Sequence, residues 1–359
     1  MKHVLAVLFA AILFMSPRLS PLEASPASRD SSLKIGFVLP LSGDWAFLGN
    51  GIRDGAVLAS EDLKAHGVDA KLIFMDNRGE LSTSATVATR LITEEKVNSL
   101  VSIISGVGKI LKPLAQRASI VNIAICSDTE VADGTHSFIN YLTANQGVAK
   151  FIEHFNRALP KKSLGILSLN ESGFDRIINE LERQAAGQIT ISRIERYNRG
   201  TTDFRSLLIR MRRFKPDSLL LLGLSPEIEL LARQTRELGI NIPLTSIESF
   251  GLAADKHAFE GSWFIDAAVP SESFQERFLN KYGREVTAGV GHAYDSVMIL
   301  GEAFRSAERS GTNLSQALTK ISDYRGTIGN LSVKKDGVIW SEASVKGIRD
   351  GRVLTMTHK

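Results

Sequence analysis

The stretch LKIGFVLPLSGDWAFLGNGIRDGAVLASEDLKAHGVDAKLIFMD, residues 33–76, runs from an apolar strand through an amphipathic helix to a second strand. In its middle, Ile52, Ala56, Ala59 and Leu63 fall on one helical face, and the helix stops at Gly67. Strands that alternate with helices predict parallel sheets covered by helices on both faces. The stretch therefore predicts an α/β fold.

The alternation continues along the chain and restarts once. A second series of strands and helices begins with LGILSLN at 164–170, and Asp336-Gly337 lies between two extended runs that predict a hairpin. Two series predict two doubly wound parallel-sheet lobes. The sequence has no low-complexity linker between them, so we expect the lobes to pack closely around a cleft, with the chain crossing more than once.

Composition is that of an ordinary globular protein of about two domains. The 359 residues are 43% hydrophobic and 23% charged, with a formal net charge of +4. The densest basic cluster, in residues 205–215, is interleaved with Leu207, Leu208 and Met211. That spacing is typical of a solvated helix face, so we expect no nucleic-acid partner.

The first residues have the pattern of a secretory signal peptide. Lys2 precedes an apolar run from Val4 to Met15, much shorter than the ~20 residues that span a bilayer. Small-residue cleavage patterns follow at 22–24 and 25–27. We expect residues 1–24 to form a signal peptide cleaved at about 24–27, and the mature chain to be exported.

Catalytic and metal-binding patterns are missing from the sequence. It has no Gly-x-Ser-x-Gly elbow or Walker-type loop, and its histidines form no His-x-x-x-His pair. The single cysteine, Cys126, excludes an internal disulfide and ends an apolar run, which favours an inert buried thiol. We expect no catalytic residue, no metal and no cofactor.

Glycines open the helix that is predicted after the third strand. In SGVGKIL, residues 105–111, Gly106 and Gly108 follow the strand, but Leu111 stands where a dinucleotide-binding fingerprint needs its third glycine. Backbone N–H groups at a helix N-terminus bind anions, and glycines let the anion approach closely. A ligand carboxylate fits there as readily as a phosphate.

Polar side chains end two further strands, at the sheet edge where α/β proteins bind ligands. In CSDTEVADG (126–134), Ser127 and Thr129 are either ligand donors or parts of a capping turn. In PLTSIESFG (243–251), the apolar strand ends on Glu248. From the residues alone, this carboxylate is catalytic, holds a cation or is a solvated loop acid.

Five segments, taken in order, resemble one family. They are the opening LKIGFVLPLSGDW stretch (33–63), the strand and helix of 75–104, the Asp-Phe-helix-strand unit of 197–221, the Tyr-Asp helix of 292–304 and the hairpin of 324–340. They are similar to the branched-chain amino-acid-binding proteins, which are type I periplasmic substrate-binding proteins of ABC importers. The resemblance spans essentially residues 33–355.

The resemblance implies a fold and its division into lobes. The family has the periplasmic binding protein-like I fold, in which three crossovers join two α/β lobes and the ligand is held in the cleft. We accordingly expect residues 31–143 plus 272–326 to form the first lobe. Residues 144–271 plus 327–359 are expected to form the second.

The resemblance also implies ligand-binding positions. It assigns the ligand carboxylate to the Gly106 loop and the Ser127 turn, and the ligand ammonium to Glu248, with Asp295 as a further cleft candidate. Gly-Val-Gly replaces the family's usual serine run, and Ser225 replaces a common aromatic residue, which widens the expected cleft. The full expected set is Trp45, Leu48, Ser105, Gly106, Gly108, Ser127, Asp128, Thr129, Phe174, Ser225, Glu248 and Tyr294.

These features together imply a binding protein rather than an enzyme. It would capture an amino acid or a related small polar ligand by hinge closure, as a monomer, and deliver it to an inner-membrane ABC permease. One alternative is a binding subunit that senses its ligand for a signalling partner. Another is a binder of amides or aromatic carboxylates.

Overall fold

A computed structural model of the chain describes residues 32–159, 163–340 and 342–356. The expected signal peptide lies outside these ranges. Among the helices within them, none combines the length and apolarity that crossing a bilayer requires.

Strands and helices alternate through most of the described chain. The strands are β1 Leu33–Leu39, β2 Ala70–Asp76, β3 Ser99–Ile103, β4 Val121–Ile125, β5 Ser137–Ile139, β6 Ser163–Leu169, β7 Thr190–Tyr197, β8 Ser218–Leu222, β9 Leu244–Ile247, β10 Trp263–Ala267, β11 Tyr324–Gly326, β12 Gly329–Val333, β13 Ile339–Trp340, β14 Ala343–Arg349 and β15 Arg352–Thr355. The helices are α1 Ala46–Ala65, α2 Leu81–Thr93, α3 Ser105–Ala118, α4 Ala144–Ala158, α5 Ser172–Gln184, α6 Arg205–Arg212, α7 Glu227–Glu237, α8 Ser249–Leu252, α9 Glu272–Tyr282, α10 Val290–Ser310 and α11 Leu314–Leu318.

The first sheet is parallel and has the order β2-β1-β3-β4-β5. In β1, Ile35 pairs with Leu72 of β2 on one side and with Ser99 of β3 on the other. Strands β3, β4 and β5 are buried along their whole length, as expected for strands that are covered on both faces. This sheet confirms the parallel arrangement predicted from residues 33–76.

The second sheet has the order β15-β14-β10-β9-β8-β6-β7. Its five strands β6 to β10 are parallel, while β14 and β15 add an antiparallel edge. A small antiparallel sheet, β11-β12-β13, contains the hairpin predicted around Asp336-Gly337. Two α/β lobes are therefore present, and the predicted fold class is confirmed.

The chain passes between the two large sheets three times: after β5, after β10 and between β13 and β14. One expected lobe boundary, at residue 326, does not match the strand pairing. Val338 forms a bridge with Ile139 at the edge of the first sheet, whereas β14 joins β10 in the second. We therefore propose to assign residues 327–340 to the first lobe.

Helix α1 of the first lobe packs closely on α10. A Cβ atom on Gly55 would lie only 2.7 Å from the carbonyl oxygen of Val290, and one on Gly301 only 2.4 Å from Leu63. Glycine at these positions lets the two helices approach more closely than any larger residue would allow.

Candidate ligand-binding site

A cavity of about 40 Å³ lies at the carboxyl ends of strands from both lobes. Most of its wall is apolar, formed by Ile103, Ile104, Ile125, Cys126, Phe174, Leu224 and Leu252, with Tyr141, Gly173 and Gly289 completing it. Its polar side chains are Ser105, Ser127, Glu171 and Glu248. Ligands of open α/β sheets bind at this edge, so the cavity is the candidate site.

Glu248 points a carboxylate into the cavity. The residue is only 6% exposed, and its Oε1 atom has no hydrogen-bond partner among the described residues. Burial raises the pKa of Glu248 to about 8, although a hydrogen bond from the Ser127 side chain opposes the rise and nearby Asp266 adds to it. A buried carboxylate with an unused oxygen is suited to bind a cation from the cavity.

The residues after two strands at the cavity adopt backbone conformations that are rare for any residue with a side chain. Ile104 has φ 77° and Glu248 has φ 67°, each directly before a helix. A positive φ is costly for any residue with a side chain, most of all for β-branched isoleucine, and each costs about 1–3 kcal/mol. Such strain is typical of ligand sites, and here both residues line the cavity.

The N-terminus of α3 faces a carboxylate from the opposite lobe. The backbone N–H of Gly106 donates a hydrogen bond to Oε1 of Glu171 at 3.1 Å. Glu171 is the residue before α5, and its side chain makes no capping hydrogen bond with its own helix. The Gly106 N–H, where the sequence predicts a ligand anion, is therefore hydrogen-bonded to a side chain of the protein itself.

In the described part of the chain, the cavity is lined by acidic residues without a basic partner. Among the described residues that line it, two are carboxylates and none is lysine, arginine or histidine. The nearby cations Lys109 and Arg176 instead face Asp128 and Glu130, with Lys109 Nζ 2.8 Å from the Asp128 carboxylate. The arrangement favours a cationic group on the ligand.

The described residues also contain no cluster of His, Cys, Asp or Glu side chains that could hold a metal ion. Burial raises the pKa of Cys126 well above its usual range, so its thiol stays protonated although it lines the cavity.

Comparison with known proteins assigns the family. A family model described as periplasmic binding protein matches residues 32–351. The chain belongs to the periplasmic binding protein family. This assignment confirms the resemblance found in the sequence and the solute-binding role that it implies.

Several solved structures share the fold of this periplasmic binding protein. The leucine-binding protein LivK from Thermotoga maritima superposes with a TM-score of 0.79 at 23% identity, covering 90% of this chain and 98% of the other. The branched-chain amino-acid-binding protein LivJ from Streptococcus pneumoniae, in complex with isoleucine, gives 0.78 at 23%, covering 90% and 97%. A solute-binding protein from R. palustris, in complex with benzoate, gives 0.81 at 16%, covering 90% and 95%.

Five of the residues expected from the sequence meet at this cavity. Ser105, Ser127, Phe174 and Glu248 line it, and Gly106 presents its N–H at the edge. They come together because each follows, or opens the helix after, a strand that ends at the same side of its sheet. Their roles in binding stay predictions.

Trp45 and Ser225 lie between the lobes but do not line the cavity. The Trp45 indole N–H donates to the backbone carbonyl of Ser225 at 2.7 Å, and Arg199 stacks over the indole ring at 4.0 Å. The Ser225 hydroxyl donates to Glu229 at 2.5 Å. These residues join the lobes, so their expected place in the cleft wall is corrected to a contact beside it.

Four other expected residues, Leu48, Gly108, Asp128 and Thr129, take part in packing or in a capping turn and do not line the cavity. Leu48 is buried on α1, and Gly108 packs against Val131 and donates its N–H to Ile104. Asp128 accepts from the N–H of Glu130 and caps the 3-10 turn that begins at Thr129. The capping interpretation of this turn, which the sequence left open, is the one the geometry supports.

Tyr294 and Asp295 are also corrected, because both face away from the cavity on α10. The Tyr294 hydroxyl donates to Asp62 at 2.6 Å, and its ring packs edge-on against Phe274. Asp295 accepts from the backbone N–H groups of Thr327 and Ile328 at 2.8 and 3.0 Å. Both therefore hold α10 to neighbouring elements of the fold.

The sequence reasoning missed Glu171 and much of the apolar wall. The wall residues Ile103, Ile125 and Leu224 end or follow strands, so the strand pattern could have identified them. Glu171 also follows a strand, β6, but no local pattern indicates that its side chain crosses to the other lobe.

Proposed function

We propose that the chain is a periplasmic solute-binding protein that captures a small ligand carrying an ammonium group and delivers it to an inner-membrane ABC permease. The observation that carries this proposal is the Glu248 carboxylate, which is buried in the cavity wall with Oε1 unused. The family supports the solute-binding role, the association with an ABC transporter and a site of action outside the cytoplasm. We propose that the protein acts as a monomer.

Amino acids are one class of ligand that meets this requirement. LivK is named as a leucine-binding protein, and LivJ is in complex with isoleucine. In the present chain, Glu248 would take the ammonium and the apolar wall would take the side chain. The carboxylate of benzoate, which the R. palustris relative binds, has no cationic residue to meet among the described lining residues.

Capture would proceed by closure of the two lobes, since each contributes one part of the site. The first lobe supplies Ser105 and Ser127, and the second supplies Glu248 and Phe174. Contacts at the rim of the cleft, such as the Trp45 N–H to the Ser225 carbonyl, hold the lobes together once they meet. No bond to the ligand needs to form or break, so the proposed role is binding and not catalysis.

A thermal-shift panel on the purified mature chain tests the proposal. Its compounds are ethylamine, isopentylamine, alanine, leucine and benzoate. Binding to the folded state alone adds about 2.7 kcal/mol at a hundredfold excess over Kd, so binders shift the melting temperature by several degrees. We expect shifts from ammonium compounds and none from benzoate.

The variant Glu248→Gln should lose these shifts. The variant Glu182→Gln, at an exposed position of α5 outside the cavity, should keep them. A shift from benzoate alone would contradict the ammonium assignment and favour the aromatic-carboxylate alternative.

A further inference from the structure

Glu171 lies across the cleft as a counter-anion for α3. It stands directly before α5 in the second lobe, yet its carboxylate accepts a hydrogen bond from Gly106 in the first turn of α3. A Cβ atom on Gly106 would be 3.4 Å from both oxygens of that carboxylate. The carboxylate therefore lies over the backbone of the helix start, where the helix dipole favours negative charge.

A ligand carboxylate has no equivalent position left in this arrangement. It would have to displace Glu171 from Gly106, or else lie in the cavity beside both Glu171 and Glu248. The described lining residues include no lysine, arginine or histidine to compensate the negative charge that such a ligand adds. Like charges in a desolvated space repel strongly, which disfavours a zwitterion relative to a simple cation.

The unused oxygen of Glu248 is an independent sign of the same preference. Glu248 is nine-tenths buried, and its Oε1 has no partner among the described residues, so it can accept a hydrogen bond from the cavity. The remaining described wall, with Ile103, Phe174 and Leu252, offers no further charged group. The cavity thus has one place for an ammonium and an apolar surface for its hydrocarbon body.

We propose that the physiological ligand is a small amine without a carboxylate group. Glu248 receives its ammonium, the apolar wall holds its alkyl or aryl body, and Glu171 replaces the ligand carboxylate at the start of α3. This inference rests on the proposed function and narrows the ligand class within it. The rival outcome is an amino acid whose carboxylate displaces Glu171.

Matched pairs of compounds separate these outcomes, because each pair differs by one carboxylate. Ethylamine is compared with alanine, and isopentylamine with leucine, by isothermal titration calorimetry on the mature protein. Of the two amines, we expect the one that binds more tightly to exceed the amino acid of the same pair in affinity by about tenfold or more. In Glu171→Ala the Gly106 N–H is released, so the amino acid should gain affinity and the preference should fall by about tenfold.

Two variants control the comparison. Glu171→Gln removes the charge while keeping an acceptor of similar size, so its preference for the amine should be intermediate. It serves as the test if the alanine variant fails to fold. Glu182→Ala, at an exposed position on the same helix, should keep the wild-type preference.

The results distinguish the inference from the proposed function. If an amino acid binds the wild-type protein as tightly as the matching amine does, and Glu248→Gln abolishes this binding, the inference is overturned. The proposed function stays in place. If no compound of either pair binds, the proposed function fails and the inference fails with it.

Discussion

Replacing Glu248 with glutamine should abolish ammonium binding and stabilise the ligand-free protein at alkaline pH. A ligand ammonium in the cavity would lose its buried charge partner, which costs about 2–5 kcal/mol and lowers affinity by about thirtyfold or more. The same substitution removes a carboxylate that the fold buries without sufficient compensation. Loss of binding and gain of stability therefore come from one cause.

The stability effect depends on pH in a defined direction. The pKa of Glu248 rises from 4.5 to about 8 on folding, mainly through burial. The folded protein therefore holds a proton that the unfolded chain releases, and the free energy of unfolding falls as pH rises between these values. Glutamine does not titrate, so the advantage of the variant should grow from nearly zero at pH 4 to about 4–5 kcal/mol at pH 9.

Urea unfolding of wild type and Glu248→Gln at pH 5 and pH 9 measures this difference. Glu182→Gln, exposed on α5, controls for the general effect of removing one acid. Equal stability of Glu248→Gln and wild type at pH 9 would mean that the carboxylate is hydrated and not buried.

Replacing Asp266 with alanine should cost about 3–5 kcal/mol of stability, because it leaves a buried lysine unpaired. Asp266 on β10 accepts from Lys346 Nζ of β14 at 3.0 Å and from the hydroxyl of Tyr141 at 2.6 Å. Asp266 and Lys346 are 3% and 6% exposed, and Tyr141 lies in the first crossover between the lobes. The cluster therefore connects the antiparallel edge of the second sheet with the hinge.

Urea unfolding at pH 7 measures the loss, and a double variant identifies its cause. Asp266→Asn combined with Lys346→Met removes both charges, so it should recover much of the stability that Asp266→Ala loses. Asp44→Ala, at an exposed position in the first lobe, should stay within about 0.5 kcal/mol of wild type. A loss below about 1 kcal/mol for Asp266→Ala would show that water reaches the Lys346 ammonium.

The fold could be predicted from the sequence because its signals are local. The apolar runs of β1 and β2 and the helical spacing of α1 belong to single elements, and each element agrees with the next. Glu248 was found for the same reason: a carboxylate at the end of an apolar strand is a local pattern. The parallel sheets then bring such strand ends to a common edge.

The rest of the site depends on contacts between distant residues. Glu171 and Gly106 are 65 positions apart and meet only when the lobes approach each other. Tyr294 was misplaced because helical spacing does not show which neighbour a helix face meets, and here that neighbour is α1 through Asp62. The sequence predicts Trp45 in the cleft wall, but its indole N–H donates a hydrogen bond to the Ser225 carbonyl of the other lobe.

Proton release on ligand binding tests the central claim most directly. With a pKa of about 8, Glu248 is about nine-tenths protonated at pH 7, and an ammonium beside it should lower that pKa and expel the proton. Isopentylamine and leucine are titrated at pH 7 in two buffers of different ionisation enthalpy, with Glu182→Gln, which keeps Glu248, as the control. The account predicts release of close to one proton per bound ligand by wild type. Binding without proton release would contradict the assignment of Glu248 as the ammonium partner.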